Sequence, residues 1–237
     1  MFGAQGILDW DTQERYKTRF GLALYEYKSV EGKANPTPGS TLNNFTAPQF
    51  RQKGNSVFNI DTDNDPNTNL FALASGFREL NLTTSVTMSH FDPWYVNVTG
   101  DIVKNIGFDK GAIRERTGVD IKEKALGYQA RLTVGRQQVR ERNDWQVFAT
   151  YRHLERDALL DAFTDSDFAL GGTNAKGFIL GGSYGLEKNA WMTARWFSSN
   201  EIDGPPLSID TLFVDLNGGR YWDRTSGPCR VKAVLYR

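Results

Sequence analysis

Between Trp94 and Asn105 the chain alternates. Trp94, Val96, Val98 and Ile102 hold the even positions, with Gly100 and Lys104 as gaps. Tyr95, Asn97, Thr99, Asp101 and Asn105 hold the odd ones, with Val103 as the exception. Extended backbone sends successive side chains to opposite faces, so the segment is a ribbon with one oily side and one wet side. A strand of about ten residues that opens on aromatics and has similar neighbours fits a transmembrane β-barrel, in which one face meets lipid and the other faces a polar interior.

The same alternation recurs along the chain. Residues 16–28 set Phe20, Leu22 and Leu24 against Arg19, Gly21 and Tyr25, and residues 77–88 set Leu80, Leu82, Val86 and Met88 against Glu79, Asn81, Thr83 and Ser85. Residues 125–135 set Leu126, Tyr128, Leu132 and Val134 against Gln129, Arg131 and Thr133. Residues 145–154 set Trp145, Val147, Ala149 and Tyr151 against Gln146, Thr150 and Arg152, with Phe148 misplaced on the polar side. Residues 177–186, 190–198 and 207–217 complete the series; Trp191 and Phe197 break the polar row of the second. The expectation is an all-β, antiparallel, up-and-down transmembrane barrel with about eight strands present. Connections at 31–76, 107–124 and 155–174 are long and those at 89–93 and 187–189 short, the asymmetry between outer loops and periplasmic turns of such barrels, although 200–206 is shorter and 137–144 longer than the alternation predicts.

Composition narrows the classes. Hydrophobic residues are 39% and aromatics 13% of the 237 residues, with 23 glycines. Mean hydropathy is −0.50. A barrel can carry such values because half of each strand faces inward, and no apolar run is long enough for a membrane helix. The 28 basic and 28 acidic residues cancel, which excludes the basic excess of a nucleic-acid-binding surface. One cysteine, Cys229, rules out an intrachain disulfide framework, and two histidines, His90 and His153, leave little for a metal site or catalytic relay. The first residues, Met1 to Asp9, lack the charged start and apolar core of an export signal. An outer-membrane protein must be exported, so either the membrane reading fails, the chain is a mature protein, or the upstream part of the gene with its signal is missing.

The stretches His90-Phe91-Asp92-Pro93-Trp94 through Val103-Lys104-Asn105-Ile106-Gly107-Phe108-Asp109, Tyr151 to Ala158, Leu160 to Phe168 and Gly171-Gly172-Thr173-Asn174, together with a closing Val214-Asp215-Leu216-Asn217, resemble the putative porin family of Gram-negative outer-membrane β-barrel proteins. The likeness spans roughly residues 15–217. It implies a barrel through which small hydrophilic solutes diffuse, with membrane lipids and those solutes as partners and no cofactor. Members are longer, which makes this chain the C-terminal part of a barrel of about 16 strands, closed by further strands or by a second copy in a homo-oligomer. The family's last strand ends soon after the Asp-Leu-Asn stretch. The expected division is therefore 1–217 as barrel and 218–237 as an aberrant tail. Trp222-Asp223-Arg224-Thr225 can be encoded by DNA whose complement reads like a transfer-RNA T-arm, so the tail is either read-through or a frame error, or an ordinary basic extension.

The candidate lumen-facing residues are Arg19, Glu79, Asn97, Asp101, Gln129, Arg131, Gln146, Arg152 and Arg195. Arg19, Arg131, Arg152 and Arg195 either bias a pore toward anions or pair with Glu79 and Asp101 and fill the interior; mixed signs favour pairing. Trp94, Tyr95, Trp145, Trp191 and Trp196 stand near predicted strand ends as an interfacial girdle, or form the aromatic core of a soluble sheet. Leu159, Leu160 and Phe163 either fold inward and narrow a channel or cap its rim. Asp61-Thr62-Asp63-Asn64-Asp65 has alternating oxygen ligands but lacks the glycine and distal glutamate of a calcium loop, and reads more simply as a solvated loop. Gly171 to Gly177 lacks phosphate-loop spacing and precedes a strand. No metal, cofactor or catalytic set is expected, so the chain is not read as an enzyme. Two rivals remain: a small membrane anchor or adhesin, and a soluble β-sandwich binding module.

Overall fold

A computed structural model describes residues 1–12, 15–63, 65–218 and, as backbone only, 231–236. Its strands in chain order are β1 (Phe2–Thr12), β2 (Tyr16–Tyr27), β3 (Val57–Asn59), β4 (Phe71–Leu73), β5 (Phe77–Phe91), β6 (Trp94–Asn105), β7 (Leu126–Gly135), β8 (Trp145–Leu154), β9 (Ala175–Glu187), β10 (Ala190–Glu201), β11 (Ser208–Gly218) and β12 (Val231–Tyr236). The short helix α1 (Lys110–Thr117) lies between β6 and β7. It is capped by the Asp109 side chain accepting from Ala112 N and ends on left-handed Gly118.

Ten strands make one antiparallel sheet in the order β1-β2-β5-β6-β7-β8-β9-β10-β11-β12, each beside its neighbour in this series. Strands β3 and β4 form a separate small hairpin inside the first long connection. Among the described residues β1 and β12 are not paired with one another, so the sheet is open, as a part of a barrel would be. The strands form one continuous sheet rather than two packed layers, which removes the sandwich alternative.

Beside the β3–β4 hairpin, two strands of the large sheet exceed the predicted set. Sequence alternation places no strand before residue 16, yet β1 pairs residue for residue with β2, from Phe2 opposite Glu26 to Thr12 opposite Tyr16. Its polar positions Gln5, Asp9 and Asp11 alternate with Ala4, Leu8 and Trp10, but Gly3, Gly6 and Ile7 blur the period. At the other end β12 pairs with β11, Thr211 opposite Tyr236 and Leu216 opposite Val231. The expected boundary at 217/218 falls at the end of β11, and residues 219–230 and 237 of the expected tail lie outside the described residues.

Register aligns the apolar positions of every strand. One row runs Trp10, Thr18, Val86, Val98, Leu132, Ala149, Leu180, Trp196, Leu212 from β1 to β11. The next runs Tyr16, Met88, Val96, Val134, Val147, Gly182, Ala194, Val214. These side chains are not in a core: Val98 is 43%, Leu132 46%, Val147 49% and Leu180 40% exposed. On β7 the apolar face runs from Leu126 to Val134, about 27 Å along the strand, the order of the ~25 Å lipid-facing band of outer-membrane barrels. Polar groups bound it at the long-loop end, where Lys104 pairs with Glu123 and His153 lies opposite Lys176. An exposed apolar surface of this extent is a contact surface.

Leu132→Arg, in the middle of that band, is expected to destabilise the chain folded in lipid by about 2–4 kcal/mol. Ser183→Arg, on the opposite face, is expected to cost less than about 1 kcal/mol. Denaturant titration of both variants in liposomes reads the difference.

Candidate functional site

The face opposite the apolar band carries all nine candidate polar residues. Arg19 lies on β2, Glu79 on β5, Asn97 and Asp101 on β6, Gln129 and Arg131 on β7, Gln146 and Arg152 on β8, and Arg195 on β10, and the register puts them on one side of the sheet. Neighbours within this face are bonded across strands. Asp101 accepts from Thr83 Oγ1 at 2.5 Å and from Gln129 Nε2 at 2.9 Å. Gln129 in turn accepts from Arg152 Nε at 3.0 Å.

The arginines do pair, but not with Glu79 and Asp101. Arg19 bonds Asp9 of β1 at 2.6 Å. Arg152 reaches Asp165 at 3.3 Å, and Arg195 reaches Asp167 at 3.4 Å and Asp215 at 3.2 Å. Arg131 has no carboxylate partner among the described residues; its guanidinium stacks 3.8 Å from the centroid of Phe148. Asp165 and Asp167 belong to the connection 155–174, which sequence periodicity leaves without a partner.

That connection folds over the polar face, and the alternatives for Leu159, Leu160 and Phe163 both find support: Leu160 is buried with residues at the strand ends, whereas Phe163 stays 67% exposed. Phe168 is buried against Ala175, Ile179, Phe197 and Phe213, with Phe148 packed beside them. Leu160 joins Leu73 and Phe77, and its N–H donates to Glu79 Oε1 at 3.0 Å. Leu159 and Phe163 line a cavity between the connection and the sheet. The polar-row exceptions Phe148 and Phe197 are therefore the floor on which the connection rests. Gly181 beside Phe148 leaves room for the ring; a Cβ there would come within 2.5 Å of it.

The first long connection locks the second in place. Asn55 Nδ2 donates to Arg156 O at 2.7 Å and Leu159 O at 3.0 Å, while its Oδ1 accepts from Asp161 N at 2.8 Å. Asp157 accepts from Ser56 N at 2.8 Å and Ser56 Oγ at 2.6 Å. Thr173 N donates to Lys53 O at 2.9 Å. Asn105 on β6 ties the pair to the sheet by donating to Gly76 O and Asp157 O, both at 3.0 Å. Ala169, Leu170, Gly171 and Gly172 all have positive φ, 55° to 88°, so the glycine-rich stretch is a tight left-handed turn in this cap.

Burial pushes the carboxyls of Asp157 and Asp161 above the ordinary range, against the opposing hydrogen bonds and the nearby Arg156 and Arg51.

The cavity under the cap measures about 330 Å³. Its walls include Glu79, Asp101, Arg152 and Asp165, with Tyr25, Leu159 and Phe163 as apolar surface.

The five aromatics divide. Trp94 and Trp145 start β6 and β8 on the apolar face with ring centroids 6.2 Å apart, and Tyr184 sits opposite Trp145. Tyr95 and Trp191 fall on the polar face. Trp196 lies in the middle of β10, opposite Leu180 and Leu212, rather than near a strand end. In the acidic loop, Asp61, Asp63 and Asp65 accept from backbone N–H groups two residues on, as successive turns, and no cluster of three or more metal-ligating side chains occurs among the described residues.

Residues 1–220 match the sequence pattern of a family described as putative porin. No curated protein matches the chain, and no solved structure does.

Asn55→Ala removes four hydrogen bonds at the cap junction, the weakest of them to Thr173 Oγ1 at 3.4 Å, and leaves buried partners unsatisfied, a cost of about 2–4 kcal/mol to docking. Limited proteolysis is expected to cut within 155–174 faster in the variant. Docking also depends on pH. The folded-state affinities of Asp157 and Asp161 for protons are raised, so their favourable contribution is complete below the ordinary carboxylate range and is lost as pH rises through the raised values. Hydrogen exchange corrected for intrinsic rates is expected to show stronger protection of 52–57 and 155–173 at acidic than at neutral pH, with a smaller difference in Asp157→Asn.

Proposed function

The chain belongs to the putative porin family, and from that membership we propose that it forms part of the wall of a channel in the outer membrane of Gram-negative bacteria, through which small hydrophilic solutes diffuse passively. The observation that carries this reading is the two-sided register: an exposed apolar band over one face, and polar groups joined across strands on the other. Strand pairing satisfies the backbone within hydrocarbon, where an unpaired N–H or C=O costs several kcal/mol. The polar face then supplies a wet path. No chemical step on the solute belongs to this reading.

A conducting wall has to close. About eight strands make a barrel filled by its own side chains, and about 16 leave an aqueous lumen. The open sheet therefore reads as one portion of a larger wall, completed at β1 by further strands or by a second copy. The inward cap narrows the path. Three of the four candidate arginines on the polar face pair with carboxylates, which leaves Arg131 and Lys17 as basic groups without a carboxylate partner among the described residues and open to a passing anion.

The same cap favours a second reading, a membrane-anchored barrel whose interior is blocked and whose long connections bind outside the cell. The apolar cluster around Phe168 occupies polar-face volume that a wide channel would leave open.

Planar-bilayer recording separates the two. Stepwise conductance is expected once the wall is closed by further strands or a second copy, and in that closed state it is expected to rise in Asn55→Ala as the cap loosens. Stable insertion of a closed assembly with no conductance in either protein would favour the anchor and contradict the channel.

A further inference from the structure

Glu79 is only 7% exposed. One carboxylate oxygen accepts from Leu160 N, and among the described residues the side chain has no cationic neighbour. It lines the 330 Å³ cavity beneath the cap. Asp101, on the same wall, is held by two neutral donors, Thr83 and Gln129. The one arginine lining the cavity, Arg152, already pairs with Asp165. The cavity thus presents two carboxylates with no fixed counter-charge. A buried carboxylate without a cation is costly, and a bound cation offsets that cost. Tyr25, Leu159 and Phe163 add ring faces and apolar surface suited to the stem of an organic cation. Arg131 lies outside this cavity, so its charge does not oppose a cation there.

We propose that the cavity between the cap and the sheet is a binding site for a small organic cation, an ammonium or guanidinium group on a short apolar stem, with Glu79 as its principal counter-charge. The inference rests on the channel reading only in making that cation a permeating solute; the site itself is a property of the folded chain. Asp101 and Asp165 line the approach, and Phe163, 67% exposed, closes over the stem from the cap.

Titration calorimetry on the full chain in detergent micelles tests it with three probes of one size: n-butylamine, 1-butanol and butyrate. The amine is expected to bind saturably and the alcohol and the acid about tenfold or more weakly. Glu79→Gln keeps an acceptor for Leu160 N and is expected to lose about tenfold in amine affinity. Phe163→Ala, at a position 67% exposed whose ring also meets Tyr27, is expected to weaken the amine as well. Equal affinity for amine and alcohol, preference for butyrate, or unchanged amine binding in Glu79→Gln would overturn the proposal. Selective amine binding by a protein that does not conduct would leave the site standing and remove only the channel.

Discussion

Everything in this molecule depends on backbone pairing in a sheet with one apolar and one polar face. A strand in hydrocarbon has no water to satisfy its N–H and C=O groups, so neighbouring strands must do it. Pairing fixes register, and a slip of one residue would exchange the two faces. The alignment of Val98, Leu132, Ala149, Leu180 and Trp196 across five strands shows that the register is consistent throughout, not merely within each hairpin. The same register delivers Asp101, Gln129 and Arg152 side by side on the other face, where they bond one another.

The interior follows from a second constraint. The polar face of the strands carries arginines and aromatic rings that the connection above it partners. In the connection 155–174, Asp165 and Asp167 take up Arg152 and Arg195, and Phe168 covers Ile179, Phe197 and Phe213. Asn55 and Asp157 then join it to the first long connection through buried hydrogen bonds, so the two loops act as one cap. What remains beneath is a cavity with Glu79 in its wall.

The strand content and the faces were legible in the sequence because period-two alternation is local. All eight segments from 16 to 217 that alternate are strands of the sheet. β1 escaped because Gly3, Gly6 and Ile7 interrupt its period. The partners of the arginines escaped for a different reason: Asp165 and Asp167 act through a loop fold that periodicity does not describe. The signal was nevertheless present as misplacement. Phe148 and Phe197 violate their rows because something apolar lies over them, and Phe168 in the next connection is that group. Trp196 shows the limit of placing aromatics by predicted strand ends: β10 runs to Glu201, which leaves that ring mid-strand.

Lipid contact with alternate residues is the central claim, and accessibility to the bilayer measures it directly. In a Cys229→Ser background, single cysteines replacing Gln129, Ala130, Arg131, Leu132, Thr133 and Val134 would carry an environment-sensitive fluorophore in liposomes containing brominated lipid. Quenching at 130, 132 and 134 with none at 129, 131 and 133 is the predicted result. Uniform quenching, a reversed phase, or a chain that stays in the aqueous phase would contradict the account.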